Sequence, residues 1–350
     1  MFHNAGGRIR TPEGTKPQRP ERCPFGRLGT PALDIKNIFT YSLKCDIMLD
    51  EWKLARLYRA QYRVVGNHSA VKICHWTKEA IRGHAPCYKQ TFYGIKTAQC
   101  LEMSPAITCN QRCLHCWRDI TIFSKGWNGP VDEPKSIIKG CIEERKKLLI
   151  GFKGNKKVDQ ELLERALRPV HAAISLTGEP CMYPRIAELI DEFFNSGFES
   201  VYLVTSGTVP EALQKLNKLP TNLYISLTAS NPEMYKKLCR PVISDGWERL
   251  QKSLEIMSKI KTNTVIRITM INGLNTENPS EFIPHIEKSR AKYVECKAYM
   301  HVGYSKDRLT EEHMPSMEKI REFAKVIEEN SNYKIKDERA DSRIVLLERR

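Results

Sequence analysis

Residues 109–117 read CNQRCLHCW, which places Cys109, Cys113 and Cys116 within eight positions and leaves no fourth cysteine close behind. A structural zinc site usually closes its tetrahedron with two near pairs of ligands, and this run supplies three. Three thiolates on one loop suit a 4Fe-4S cubane in which one iron has no protein ligand and is free to bind substrate. A second set, Cys74, Cys87 and Cys100, is separated by twelve residues at each step. Such spacing cannot form a local knuckle, so these thiols bind one object only if the fold brings them together. Three unrelated buried cysteines is the plainer alternative. Lying just ahead of the first strand of an alternating region, they could be carried on a loop over the barrel mouth. Cys141, Cys181, Cys239 and Cys296 fall in helical or strand patterns and are expected in the core, while Cys23 and Cys45 are not candidate ligands.

The chain that must position these groups has 350 residues and 41% hydrophobic content, enough for a full-sized core. It has no apolar run of ~18 residues and no leader of secretory type, so a cytoplasmic location is expected, with no membrane partner and with reduced cysteines. Residues 1–47 are rich in Gly, Pro and Arg without apolar periodicity and are expected to be disordered or a non-native leader, Met48 being a candidate natural start. DEWKLARLYRAQYRVV (50–65) has helical spacing and reads as a basic amphipathic helix.

From Leu101 an alternation begins. Strands are expected at 101–108, 171–177, 200–207, 222–229, 264–271 and 293–302, with helical patterns such as SIIKGCIEERKKLLIG, RIAELIDEFFNSG, WERLQKSLEIMSKIK and SEFIPHIEKS between them. Six β-then-α units with near-continuously apolar strands argue for a parallel sheet covered by helices. Six are too few for a closed eight-stranded barrel, and no Gly-rich dinucleotide fingerprint follows the first strand, which leaves a partial barrel of the α/β class. Its chemistry should collect at the C-terminal strand ends. Polar groups stand there: Cys109 onward, Thr177-Gly178-Glu179-Pro180, Thr205-Ser206-Gly207-Thr208, Thr228-Ala229-Ser230-Asn231, Asn272-Gly273 and His301-Val302-Gly303. The expected organisation is a basic helix and cysteine segment at 48–100, the barrel at 101–310, and a closing helix with a short hairpin at 311–350.

The formal charge is +15. Between Glu51 and Gln99, Lys53, Arg56, Arg59, Arg63, Lys72, Lys78, Arg82, Lys89 and Lys96 face only Glu51 and Glu79. Clustered Lys and Arg displace counterions from phosphates, so a polyanionic partner fits, with a solvated basic surface as the alternative. Trp76, Tyr88, Phe92 and Tyr93 are interleaved with Lys78, Arg82, Lys89 and Lys96, the mixture that stacks unpaired bases. Core packing is the commoner fate of any one of these rings.

C-x3-C-x2-C after the first strand of a six-unit partial barrel, with aromatic His115 before the third cysteine, resembles the radical S-adenosylmethionine superfamily. That resemblance implies a partial (β/α)6 TIM-like barrel and S-adenosyl-L-methionine chelated by the open iron of the first cluster. It implies that Thr177-Gly178-Glu179-Pro180 is the motif meeting the methionine amino group, with Thr177 where the first glycine is usual. By strand position Ser206, Thr228, Thr269 and Asn272 then face the cofactor, although each could equally cap the helix that follows.

The even C-x12-C-x12-C, together with CYKQ and YGI, resembles the archaeal tRNA 4-demethylwyosine synthases of the wybutosine pathway over roughly residues 51–334. The resemblance implies a second 4Fe-4S cluster on Cys74, Cys87 and Cys100, making two in all. It implies two substrates, pyruvate and a tRNA-Phe carrying 1-methylguanosine beside the anticodon, which the enzyme turns into the tricyclic base. It implies an external electron donor of flavodoxin or ferredoxin type, since residues 1–47 bear no likeness to the flavodoxin-like domain of eukaryotic members. A monomer is expected. Lys89, two residues after Cys87, is placed to reach the same pyruvate, and a lysine amine can condense with a ketone to a Schiff base. A phosphate contact is the alternative for Lys89. Two other functions remain open at this point: a different radical S-adenosylmethionine enzyme acting on RNA, and a noncatalytic RNA-binding protein stabilised by metal.

Overall fold

The computed structural model describes residues 49–350, so the expectations for residues 1–47, Cys23 and Cys45 lie outside the described residues. The helices, in chain order, are α1 (Glu51–Arg59), α2 (His75–Ala80), α3 (Tyr88–Tyr93), α4 (Pro134–Ile150), α5 (Gln160–Ala166), α6 (Ile186–Asn195), α7 (Pro210–Gln214), α8 (Pro232–Cys239), α9 (Gly246–Met257), α10 (Ile283–Ser289) and α11 (Met317–Glu329). Ten strands, β1 (Arg63–Val65), β2 (Ser69–Lys72), β3 (Cys100–Ser104), β4 (His171–Ile174), β5 (Ser200–Thr205), β6 (Asn222–Ser226), β7 (Asn263–Met270), β8 (Tyr293–Ala298), β9 (Tyr333–Arg339) and β10 (Ile344–Arg349), form one sheet in the order β1-β2-β3-β4-β5-β6-β7-β8-β10-β9.

Strands β3 to β8 are consecutive and parallel, and they form the partial (β/α)6 barrel. Their apolar residues are buried on both faces, as helix-covered parallel strands require. Antiparallel strands extend both edges: β2 pairs β3, and β10 pairs β8 with β9 outside it. The sheet therefore takes in strands before residue 100 and after residue 311 as well as the six of the barrel. Among the described residues no helix is long and apolar enough to cross a membrane.

Two expectations need correction. The first helix stops at Arg59: Gln61 takes a left-handed φ of 67°, and the β-branched pair Val64 and Val65 enters β1 instead. All six barrel strands also end earlier than their apolar runs. In β3 the cause is Pro105, which has no N–H for a ladder; its carbonyl accepts from buried His68 Nδ1 at 2.6 Å.

The loop expected over the barrel mouth enters from the opposite end. Tyr93 of α3 packs its ring on Tyr202, Tyr224 and Tyr293, which occupy the first or third positions of β5, β6 and β8. Buried Glu295 of β8 accepts from Tyr93 at 2.8 Å, Tyr88 at 3.4 Å, Tyr224 at 3.2 Å and Arg267 at 2.8 Å. A buried carboxylate is tolerable only when its oxygens are satisfied in this way. Helix α3 is thus a plug in the N-terminal half of the barrel. Phe92 joins the same cluster, so Tyr88, Phe92 and Tyr93 belong to the interior.

Candidate active site

Both cysteine trios line one continuous cavity of about 1000 Å³. Cys109, Cys113 and Cys116 follow the C-terminal end of β3, whereas Cys100 is its first residue. The four steps of β3 separate the two ends by about 13 Å at ~3.3 Å per residue. Glu102, in the middle of that strand, lines the cavity between them.

The first loop is docked onto the end of α8, with Arg112 N and Leu114 N donating to the carbonyls of Cys239 and Leu238 at 3.1 and 2.9 Å. Arg308 donates to the carbonyls of Leu114 and Cys116. Burial pushes the Cys109 and Cys116 thiols up, and contact with Cys239 followed by burial does the same for Cys113. In the second trio burial pushes Cys74 up to about 11 and Cys100 up to about 12, and raises Cys87. Burial thus favours the thiol at all six, and a thiolate-binding cation would have to displace a proton from each. Among the described residues no three such side chains sit closely enough to share a single ion. A cubane asks for a wider set, because each thiolate goes to its own iron.

Burial lowers His115 to about 4, so its ring is neutral at neutral pH, and its Nδ1 has no partner in the protein. Gly178 takes φ of +66° at a point where a Cβ would overlap the carbonyl oxygens of Ala106 and Thr108. That close approach ties the second strand end to the cysteine loop, and Glu179 N donates to Thr108 O at 2.8 Å. Gly178→Ala is accordingly expected to cost about 2–4 kcal/mol from the left-handed backbone and the overlap. Chemical denaturation of the apoprotein measures it.

Buried Glu179 accepts from Cys181 N at 3.0 Å, Thr205 Oγ1 at 2.5 Å, and Ser206 N and Oγ at 2.7 and 2.6 Å. Thr208 bridges Ser206 Oγ to Asn110 of the cysteine loop, at 2.8 Å on each side. Thr177, Gly178, Glu179, Ser206, Thr228, Thr269 and His115 all line the cavity. Asn272 does not: the turn at Gly273 sends its amide to the carbonyl of Glu312, at 3.0 Å. The amide that braces this end is Asn275, buried, donating to the carbonyls of Thr228 and Thr269 at 2.8 and 2.9 Å.

Lys89 is 8% exposed, with Nζ 5.1 and 5.3 Å from the Tyr202 and Tyr224 ring centres. Sequence reasoning missed Lys297 on β8, whose amine also lines the cavity, donates to Ser342 O at 2.7 Å and is lowered to about 8 by burial and by Arg267. It missed Glu102 as well, whose carboxyl burial pushes up. Alternation along β3 places Glu102 on the same face as Cys100, which is the one signal that could have found it. Of the basic residues before the barrel, Lys96 pairs with Glu199 and Arg82 with Glu79. Lys72 lies over the rings of Tyr62 and Trp117, and Arg56 over those of Trp52 and Tyr304.

A parallel six-stranded partial barrel with three cysteines on the loop after its first strand defines the radical S-adenosylmethionine class of enzymes, and the Radical SAM superfamily model matches residues 103–287. The model for wyosine base formation matches residues 288–349. The S-adenosyl-L-methionine-dependent tRNA 4-demethylwyosine synthase of Pyrococcus abyssi is 45% identical over 85% of this chain and 89% of its own. A solved structure of TYW1 with a lysine-pyruvate adduct bound is 34% identical, with a TM-score of 0.79 over 86% of this chain and 97% of that one. A crystal structure of archaeal TYW1 is 30% identical, with a TM-score of 0.71 over 86% and 96%. The chain belongs to the tRNA 4-demethylwyosine synthase family.

Proposed function

We propose that this protein builds 4-demethylwyosine from 1-methylguanosine of tRNA-Phe and two carbons of pyruvate, with a 4Fe-4S cluster on each cysteine trio. The observation that carries the reading is the single cavity that joins the two trios and holds the Lys89 amine. S-adenosyl-L-methionine at the cluster of Cys109, Cys113 and Cys116 supplies the radical that removes hydrogen from the N-methyl group, a carbon no protein base can usefully deprotonate. His115, Thr177, Gly178, Glu179, Ser206, Thr228 and Thr269 are the cavity residues suited to hold that cofactor; Asn272, turned away, is left out. Lys89 condenses with the pyruvate ketone, releasing water, and fixes the three-carbon unit facing the methyl group. Cys74, Cys87 and Cys100 would hold a cluster whose open iron suits chelation of an α-keto acid. The methylene carbon bonds to the imine carbon, the carboxylate leaves as carbon dioxide with one electron passing to an acceptor, and the guanine amine displaces the Lys89 nitrogen as it closes the ring.

The base to be modified lies in a single-stranded loop and can be splayed into a pocket without breaking pairs. Trp117 lines the cavity with the Arg118 guanidinium 4.1 Å from its ring centre and Lys72 at 5.4 Å. This suits a stacked base and its phosphates better than the rings of α3, which are committed to the barrel interior. An external flavodoxin- or ferredoxin-type donor supplies the electron, and the enzyme acts in the cytoplasm as a monomer.

The test is anaerobic incubation with S-adenosyl-L-methionine, reductant, pyruvate and 1-methylguanosine-containing tRNA, followed by mass spectrometry of the nucleosides. The tricyclic nucleoside is expected, from brown protein holding ~8 irons per chain. A colourless zinc protein that makes none would refute the reading.

A further inference from the structure

Arg145 of α4 is fully buried, at 0% exposure. Its Nη2 donates to the carbonyl of Ala98 at 2.7 Å and its Nε to that of Ala166 at 3.1 Å, while Nη1 has no partner. Among the described residues no carboxylate forms an ion pair or hydrogen bond with it. A guanidinium cannot shed its charge in a protein, and an unpaired buried cation is among the most unfavourable things a fold can contain. Cys100, Cys74 and the buried Glu102 are among the groups whose charge bears on Arg145. Ala98, which anchors the guanidinium, lies two residues before Cys100 on the connection that starts β3.

We propose that Arg145 is the buried counter-charge of the second cysteine trio, a positioning residue whose guanidinium stabilises thiolates at Cys74 and Cys100 and so retains the cluster they hold. The inference rests on reading Cys74, Cys87 and Cys100 as cluster ligands. Three thiolates on a 4Fe-4S core carry about one to two net negative charges, depending on oxidation state. A fixed positive charge near the ligands favours the reduced, more negative state, and Nη1, without a partner in the protein, leaves that charge uncompensated. The first trio has no such residue from α4, so the effect belongs to one cluster.

The experiment compares wild type, Arg145→Met and Arg145→Lys after anaerobic reconstitution. Iron per chain is followed during challenge with a chelator, and each cluster is titrated by electron paramagnetic resonance. In Arg145→Met the second cluster should be lost roughly 10- to 100-fold more readily, as expected when an outer-shell partner is removed. Any second cluster that remains should reduce at a more negative potential. The first cluster and its cleavage of S-adenosyl-L-methionine should stay at wild-type level. Arg145→Lys, which keeps the charge, should recover most of the retention.

Equal loss of both clusters in either variant, or a second cluster in Arg145→Met that is retained and reduced as in wild type, overturns the assignment. Should Arg145→Met not fold, Arg145→Gln, which removes the charge but keeps a side-chain donor, takes its place: a second cluster selectively more labile than the first supports the assignment, and equal lability overturns it. Failure of the underlying reading is distinguishable. In that case wild type itself would hold a single cluster, and substituting Cys87 would remove no iron.

Discussion

Borohydride added to the anaerobic protein with labelled pyruvate is expected to fix about one label per chain, and the Lys89→Ala protein to take up none while its product yield falls at least ~10³-fold. The expectation rests on where the amine lies. Lys89 is buried on the plug helix α3, two residues from Cys87, and its Nζ faces the rings of Tyr202 and Tyr224 in a cavity shared with both cysteine trios. An imine at this amine fixes the ketone inside the cavity that the second trio also lines.

Lys297 makes the experiment discriminating. It lines the same cavity, and burial lowers it to about 8, so roughly a tenth of it is neutral at pH 7. Label moving to Lys297 in Lys89→Ala with product retained would sink the role given to Lys89. Label lost in Lys297→Met, with Lys89 intact, would assign the Schiff base to β8 instead.

Cys87→Ala should lose ~4 irons per chain and drop product formation at least ~10³-fold, while cleavage of S-adenosyl-L-methionine in the absence of tRNA continues. Cys87 is the informative member of its trio for a structural reason. It precedes α3 without capping it through its side chain, whereas the Cys74 sulfur accepts from Thr77 N at 3.2 Å and caps α2. Removing Cys87 therefore leaves local structure standing, with an apoprotein stability change within about 1 kcal/mol. Removing Cys74 confounds ligand loss with loss of a cap. Normal product from Cys87→Ala would separate the second trio from the reaction altogether.

The parts of this molecule legible in the sequence are those governed by neighbours along the chain. Three thiols at short spacing on one loop can converge on one object whatever surrounds them, and apolar runs alternating with helical periodicity declare a parallel sheet. The strand-end threonines, Gly178 and Glu179 could be placed for the same reason, since a strand of known direction carries its ends to a known rim. Asn272 instead donates its amide to the carbonyl of Glu312, and Asn275, three residues on, takes the bracing role.

Tertiary structure alone decided which end of the barrel the second trio enters, and which charges answer it. Tyr88 meets Glu295 across 207 residues of sequence, and Arg145 reaches Ala98 across 47. No local pattern encodes such meetings, because a buried charge is chosen to satisfy a partner that only the closed barrel brings near. The chain by itself determined a radical S-adenosylmethionine barrel with three cysteines on the loop after its first strand. Burial and the closing of the sheet determined which lysines, carboxylates and arginines attend it, since these groups act through short-range electrostatics in a space that does not exist until the strands have paired.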